Sequence, residues 1–107
     1  MIDLINNNSG NNNPNQYQEL TDEQKVIIQD WIFKNFERMD RFNLSNSSYN
    51  LKHLFENSPE GFYITNGQFK GAMLAAEYNV KDEKEINWNF NVSKRSIERV
   101  KEKIYSN

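Results

Sequence analysis

Four stretches of this chain place apolar residues at helical spacing, and one places them at every second position. In the first, Ile28, Trp31 and Ile32 fall at i, i+3 and i+4, and Met39 returns to that face at i+11; Asp30, Lys34 and Glu37 lie away from it. Thr21-Asp22-Glu23-Gln24 reads as a capping box with two carboxylates set against the helix dipole, so a helix is expected from Asp22 to Asp40. Val26 and Phe33, one heptad apart, form a second apolar strip on its flank. That strip is either the other wall of a wide core contact or a partner surface. A second helix opens at Ser47-Ser48, carries Leu51, Leu54 and Phe55 on one side, and stops at Asn57-Ser58-Pro59-Glu60-Gly61.

Phe62-Tyr63-Ile64 is too short for a helix and reads as extended, after which Thr65-Asn66-Gly67-Gln68 gives another capping box. Phe69, Ala72, Met73 and Ala76 then predict a third helix over residues 66–77. Beyond it the period changes: Ile86, Trp88, Phe90 and Val92 alternate with Asn87, Asn89 and Asn91, a strand signal. Residues 78–81 can pair with it across the polar turn 82–85. Ser93 opens a fourth helix with Ile97, Val100 and Ile104 inward and Lys94, Arg95, Arg99, Lys101 and Lys103 outward. Two short helices joined by a tight turn and followed by a hairpin are the plan of a winged helix-turn-helix, so the expected class is α+β, mostly helical, with four helices and a β-hairpin wing.

Ahead of this pattern, residues 6–16 offer no apolar side chain to bury, and ordering them costs about 1–2 kcal/mol per residue. Residues 1–20 are therefore expected to be a flexible Asn-rich tail, and the domain to span 21–107. With 107 residues and no cysteine, the chain has room for one small domain and none for disulfide, zinc-thiolate or thiol chemistry. No apolar run approaches the ~20 residues of a membrane span. Neither a basic start nor an apolar stretch of the signal-peptide kind stands at the N-terminus, so a soluble cytoplasmic protein is expected.

Candidate chemistry is sparse. The four glycines form neither a P-loop nor a dinucleotide fingerprint, and the single histidine, His53, has no cysteine or second histidine to share a metal. No enzyme activity, metal or cofactor is expected. The third helix is more informative, because Gly67 and Gly71 each cost about 1 kcal/mol relative to alanine. Either another surface approaches closely there (a DNA backbone, a partner helix, the domain's own wing) or the glycines let core elements pack tightly. Asn66, Gln68 and Lys70 on the same helix have the groups that read base edges or grip phosphate. The net charge of −2 hides an asymmetry: six acidic against three basic residues from Glu19 to Asp40, and two against five from Lys94 to Asn107. Such a dipole allows weak, salt-sensitive nucleic-acid binding and equally suits a protein partner.

The strings Ser48-Tyr49-Asn50-Leu51-Lys52-His53, Phe62 to Phe69, Ala72 to Tyr78 and Asn87 to Asn91 resemble small uncharacterised proteins of phages and mobile elements. More loosely, Phe69 to Val92 looks like the winged-helix domain that closes phage and large-DNA-virus primase-helicases. Patterns of that kind often have Gly before the aromatic, where this chain has Glu77 before Tyr78. The resemblance implies a fold and a mobile-element origin, and carries over no catalytic residue. Two functions follow as expectations. The first is a non-enzymatic DNA-binding protein, with Thr65, Asn66, Gln68 and Lys70 on a recognition helix and Lys52, Lys94 and Arg95 on phosphate. The alternative is a protein-interaction module, such as an inhibitor or adaptor of a host enzyme, acting through Val26 and Phe33.

Overall fold

The structure is a computed structural model that describes residues 8–106. Its four α-helices are α1 (Asp22–Asn35), α2 (Ser48–Glu56), α3 (Asn66–Ala75) and α4 (Lys94–Tyr105), preceded by short 3-10 helices at Gly10–Asn12 and Pro14–Glu19. The caps stand where the sequence puts them. Thr21 Oγ1 accepts from the Gln24 N–H at 3.0 Å while the Gln24 side chain accepts from the Thr21 N–H at 2.9 Å. Ser93 Oγ likewise accepts from the Ser96 N–H at 3.1 Å.

The core gathers Ile28, Trp31 and Ile32 from α1, Leu51, Leu54 and Phe55 from α2, Phe69, Ala72 and Met73 from α3, and Ile97 and Val100 from α4. Trp31 is its hub, meeting Phe36 and Phe55 edge-to-face at centroid separations of 5.0 and 5.2 Å, a geometry that matches positive ring edge to negative ring face. Its indole N–H donates to Ser58 Oγ at 2.9 Å, so the buried donor is satisfied.

The first helix is shorter than its periodicity predicts. It ends at Asn35 because Phe36 turns extended and enters the core, and Met39 then leaves the helical register to donate its N–H to Asn91 O at 2.9 Å. The third helix ends at Ala75. Glu77 takes the left-handed conformation (φ 67°), and the Tyr78 and Glu77 N–H groups close back on Met73 O and Leu74 O at 3.0 and 2.9 Å. This is a Schellman stop with glutamate in the position glycine favours.

The expected hairpin wing is absent: among the described residues no strand forms, only three isolated antiparallel bridges, Arg38 with Val92, Ser47 with Asn89 and Val80 with Phe90. Two of the three join the 87–92 segment to residues 38–47 instead of to residues 78–81. The period-2 reading holds in part, since Trp88, Phe90 and Val92 are buried while Ile86 is exposed. The asparagines between them explain why no ladder extends. Asn89 Nδ2 donates to Asn43 O at 2.9 Å, and Asn91 Oδ1 accepts from the Asn79 N–H at 2.8 Å. These side chains bond the flanking backbone where strand pairing would otherwise continue. The coarse class therefore stands as a small, mostly helical fold.

The expected tail is also corrected for its described part; residues 1–7 lie outside the described residues. Residues 8–20 lie against α3, with Tyr17 and Leu20 buried in the core. Asn13 caps the second 3-10 helix, its Oδ1 accepting from the Asn15 N–H at 2.9 Å. The fold thus begins well before residue 21, because those two apolar side chains and the close fit to α3 supply the packing return that the Asn run lacks.

Candidate functional site

The two glycines of α3 explain where that segment lies. A Cβ on Gly67 would stand 2.3 Å from Asn13 O, and one on Gly71 would stand 2.3 Å from both Pro14 O and Tyr17 Cβ. Of the two alternatives for these glycines, tight packing within the fold is the one found, and the packed surface is the chain's own N-terminal segment. We refer to residues 8–20 as the strap.

Each residue expected to read DNA from α3 is engaged inside the molecule. Thr65 and Gln68 form the helix cap, the Gln68 N–H donating to Thr65 Oγ1 and the Thr65 N–H to Gln68 Oε1, each at 3.0 Å. Thr65 Oγ1 also donates to Gln16 Oε1 of the strap at 2.7 Å. Asn66 is buried, its Oδ1 accepting from Ser48 Oγ at 2.8 Å and its Nδ2 donating to Asn12 Oδ1 at 3.0 Å. Lys70 is fully buried (0% exposed): its Nζ donates to Asn8 Oδ1 at 2.9 Å and to Asn12 O at 3.0 Å, and stands 4.7 Å from the centre of the Trp88 ring. Burial lowers the Lys70 ammonium to a pKa of about 8.

Lys52, expected on phosphate, is buried too. It pairs with Glu56 Oε2 at 3.2 Å and lies 5.5 and 5.7 Å from the rings of Tyr49 and Tyr63. His53 donates to the other oxygen of Glu56 at 3.0 Å if its Nδ1 carries the proton, and meets Tyr49 edge-to-face at 4.5 Å. Lys94 and Arg95 stand exposed at the start of α4. The four basic residues therefore do not build one accessible cationic face, since two of them are internal. Sequence reasoning missed the two rings beside Lys52; Tyr49, three residues earlier on the same helical face, was visible, and Tyr63, beyond the turn, was not.

The strip on α1 is different. Phe33 is 86% exposed and Val26 69%, so this strip is not a wall of the core. Asp22, Glu23 and Asp30 are exposed along the same face, with Lys34 paired to Asp30 at 2.9 Å. Phe33 also borders a groove of about 350 Å³ floored by Ile32, Phe36, Ala76 and Tyr78. Arg38 lies over the Tyr78 ring at 4.5 Å and donates to Ala76 O, which fixes one wall. Burial raises the pKa of the Tyr78 phenol beneath that guanidinium.

Among the described residues, no group of three or more His, Asp or Glu side chains is placed to hold a metal ion, and no helix is long and apolar enough to cross a membrane. Compared with known proteins, the chain matches no protein-family model, no curated protein and no solved structure.

Proposed function

We propose that this chain is a non-enzymatic protein-binding module that takes a basic, apolar segment of a partner protein against the outer face of α1. The exposure of Phe33 carries the reading. A phenylalanine open to water over most of its surface forgoes about 1.5–3 kcal/mol of burial, and Val26 and the adjoining groove extend the same apolar band. Asp22, Glu23 and Asp30 set an acidic border on that band, which favours lysine or arginine around the partner's apolar anchor. The mobile-element resemblance makes a host protein the partner class in this reading.

Nucleic-acid binding, the other expectation, has the exposed Lys94 and Arg95 in its favour. It loses Lys52 and Lys70, and the whole polar face of α3, to internal contacts. A photo-crosslinking residue at position 33, introduced in cells that produce the chain, tests the choice. The expected result is one protein adduct whose joined segment is apolar and flanked by basic residues, with the yield reduced by Glu23→Lys and Asp30→Lys. Adducts to nucleic acid, or yields indifferent to those reversals, overturn the reading.

A further inference from the structure

The contact between Lys70 and Trp88 leaves two demands unmet. The Lys70 ammonium is fully buried, yet its polar partners are the side-chain oxygen of Asn8 and the backbone carbonyl of Asn12, and among the described residues no carboxylate stands within ion-pair distance. Buried charges are ordinarily paired, because neutral dipoles replace lost hydration only in part. Trp88 is also buried, and its indole N–H has no acceptor among the described residues. An ammonium without a counter-charge and an N–H without an acceptor, on two side chains in contact, call for the same thing: an anionic oxygen. A groove of about 470 Å³ adjoins them, bordered by Asn8, Pro14, Leu74, Glu83, Lys84 and Trp88. Asn8 forms the partition, its Oδ1 on Lys70 and its Nδ2 donating to Glu83 O at 2.8 Å.

We propose that Lys70 and Trp88 form the anchor of a phosphate-binding site opening into this groove, with the side-chain amide of Asn8 holding the place that a phosphate oxygen takes when ligand binds. Rotation of Asn8 breaks two hydrogen bonds and presents the ammonium to the groove. A phosphate then accepts from Lys70 Nζ and Trp88 Nε1, while Leu74 and Pro14 flank whatever the phosphate carries. A lysine suits this role because it acts as a point charge with three donors that need no fixed fork geometry. Glu83 and Lys84, of opposite charge, both border the groove, so the rim itself adds no net charge against an anion. This site is independent of the α1 surface and stands whether or not that reading holds.

Nuclear magnetic resonance on the full chain tests it through the Trp88 indole N–H signal. Inorganic phosphate, adenosine monophosphate and a short single-stranded oligonucleotide serve as separate probes of a bare anion, a mononucleotide and a nucleic-acid backbone. At least one is expected to move that signal downfield and to saturate, and the tightest of the three identifies the source of the phosphate. Lys70→Met is expected to weaken the binding by about tenfold or more. Asn8→Asp, which gives up the donation to Glu83 O but keeps the contact to Lys70 and gives it a carboxylate, is expected to block binding while the remaining spectrum stays folded. No saturable shift with any probe overturns the proposal, as does unchanged binding in either variant.

Discussion

Replacing Gly71 by alanine sets two opposing effects against each other. In a solvated helix the change stabilises by about 1 kcal/mol, because alanine loses less backbone freedom. In this fold the new Cβ would stand 2.3 Å from Pro14 O and from Tyr17 Cβ, separations that force the strap to shift. Neither atom is the far end of a flexible side chain, so relief requires moving backbone, and overpacking of this kind costs about 1–3 kcal/mol. Two contacts at 2.3 Å put the cost in the upper part of that range, so the clash outweighs the propensity gain and leaves a net loss of about 1–2 kcal/mol. For a domain of this size that lowers Tm by roughly 5–10 °C in a thermal melt followed by circular dichroism. Exchange of the Gln16 and Leu20 amides, which donate to Asn13 O and Tyr17 O at 3.0 and 3.1 Å, should accelerate in the same variant. A rise in Tm would refute the reasoning, since it would mean that nothing packs on α3 at Gly71.

Three further outcomes follow from the same contacts. Glu77→Gly relieves a left-handed backbone that costs a non-glycine residue about 1 kcal/mol, so urea denaturation should show a gain of about that size; a loss would deny the Schellman stop. With Lys70 at a pKa of about 8 in the fold against 10.5 unfolded, the folded chain binds fewer protons between those values, so stability should rise with pH there. The gain should be roughly 1–2 kcal/mol by pH 9.5, before phenols ionise, and should vanish in Lys70→Met. Phe33→Asp, at an exposed site, should change stability by no more than about 0.5 kcal/mol while abolishing the position-33 partner interaction; a marked fall in Tm would show the side chain to be structural.

What was legible in the sequence is what side-chain pattern alone decides. The boxes at Thr21 and Thr65 and the cap at Ser93 mark helix starts, and the stripes Ile28-Trp31-Ile32 and Phe69-Ala72-Met73 face inward as their spacing requires. The aromatic residues expected inward, Trp31, Phe55, Phe69, Trp88 and Phe90, are all buried. The strap was not legible because the atoms that fill the space over Gly67 and Gly71 are largely backbone, Asn13 O and Pro14 O, which leave no residue signature. Only Tyr17 and Leu20 hinted that the segment had something to bury. The pairing of the 87–92 segment with residues 78–81 goes no further than the Val80–Phe90 bridge for a related reason: Asn89 and Asn91 alternate with the apolar positions as a strand face would, yet their amides bond the main chain of neighbouring loops. Of the candidate site residues, the exposed pair Val26 and Phe33 was visible as a second strip. The internal fate of Lys52 and Lys70 was not, because burial of a lysine depends on tertiary contacts that periodicity does not encode.

That the face of α3 is internal, covered by residues 8–20, is what moves the acting surface to α1, and proton–proton distances in the free chain test it most directly. In a nuclear Overhauser spectrum of the full-length protein at neutral pH, strong cross-peaks are predicted between the Tyr17 β-protons and the Gly71 α-protons. Random-coil shifts from Asn8 to Leu20 with no cross-peak to Gly71 would contradict it, and would return Asn66 and Lys70 to solvent.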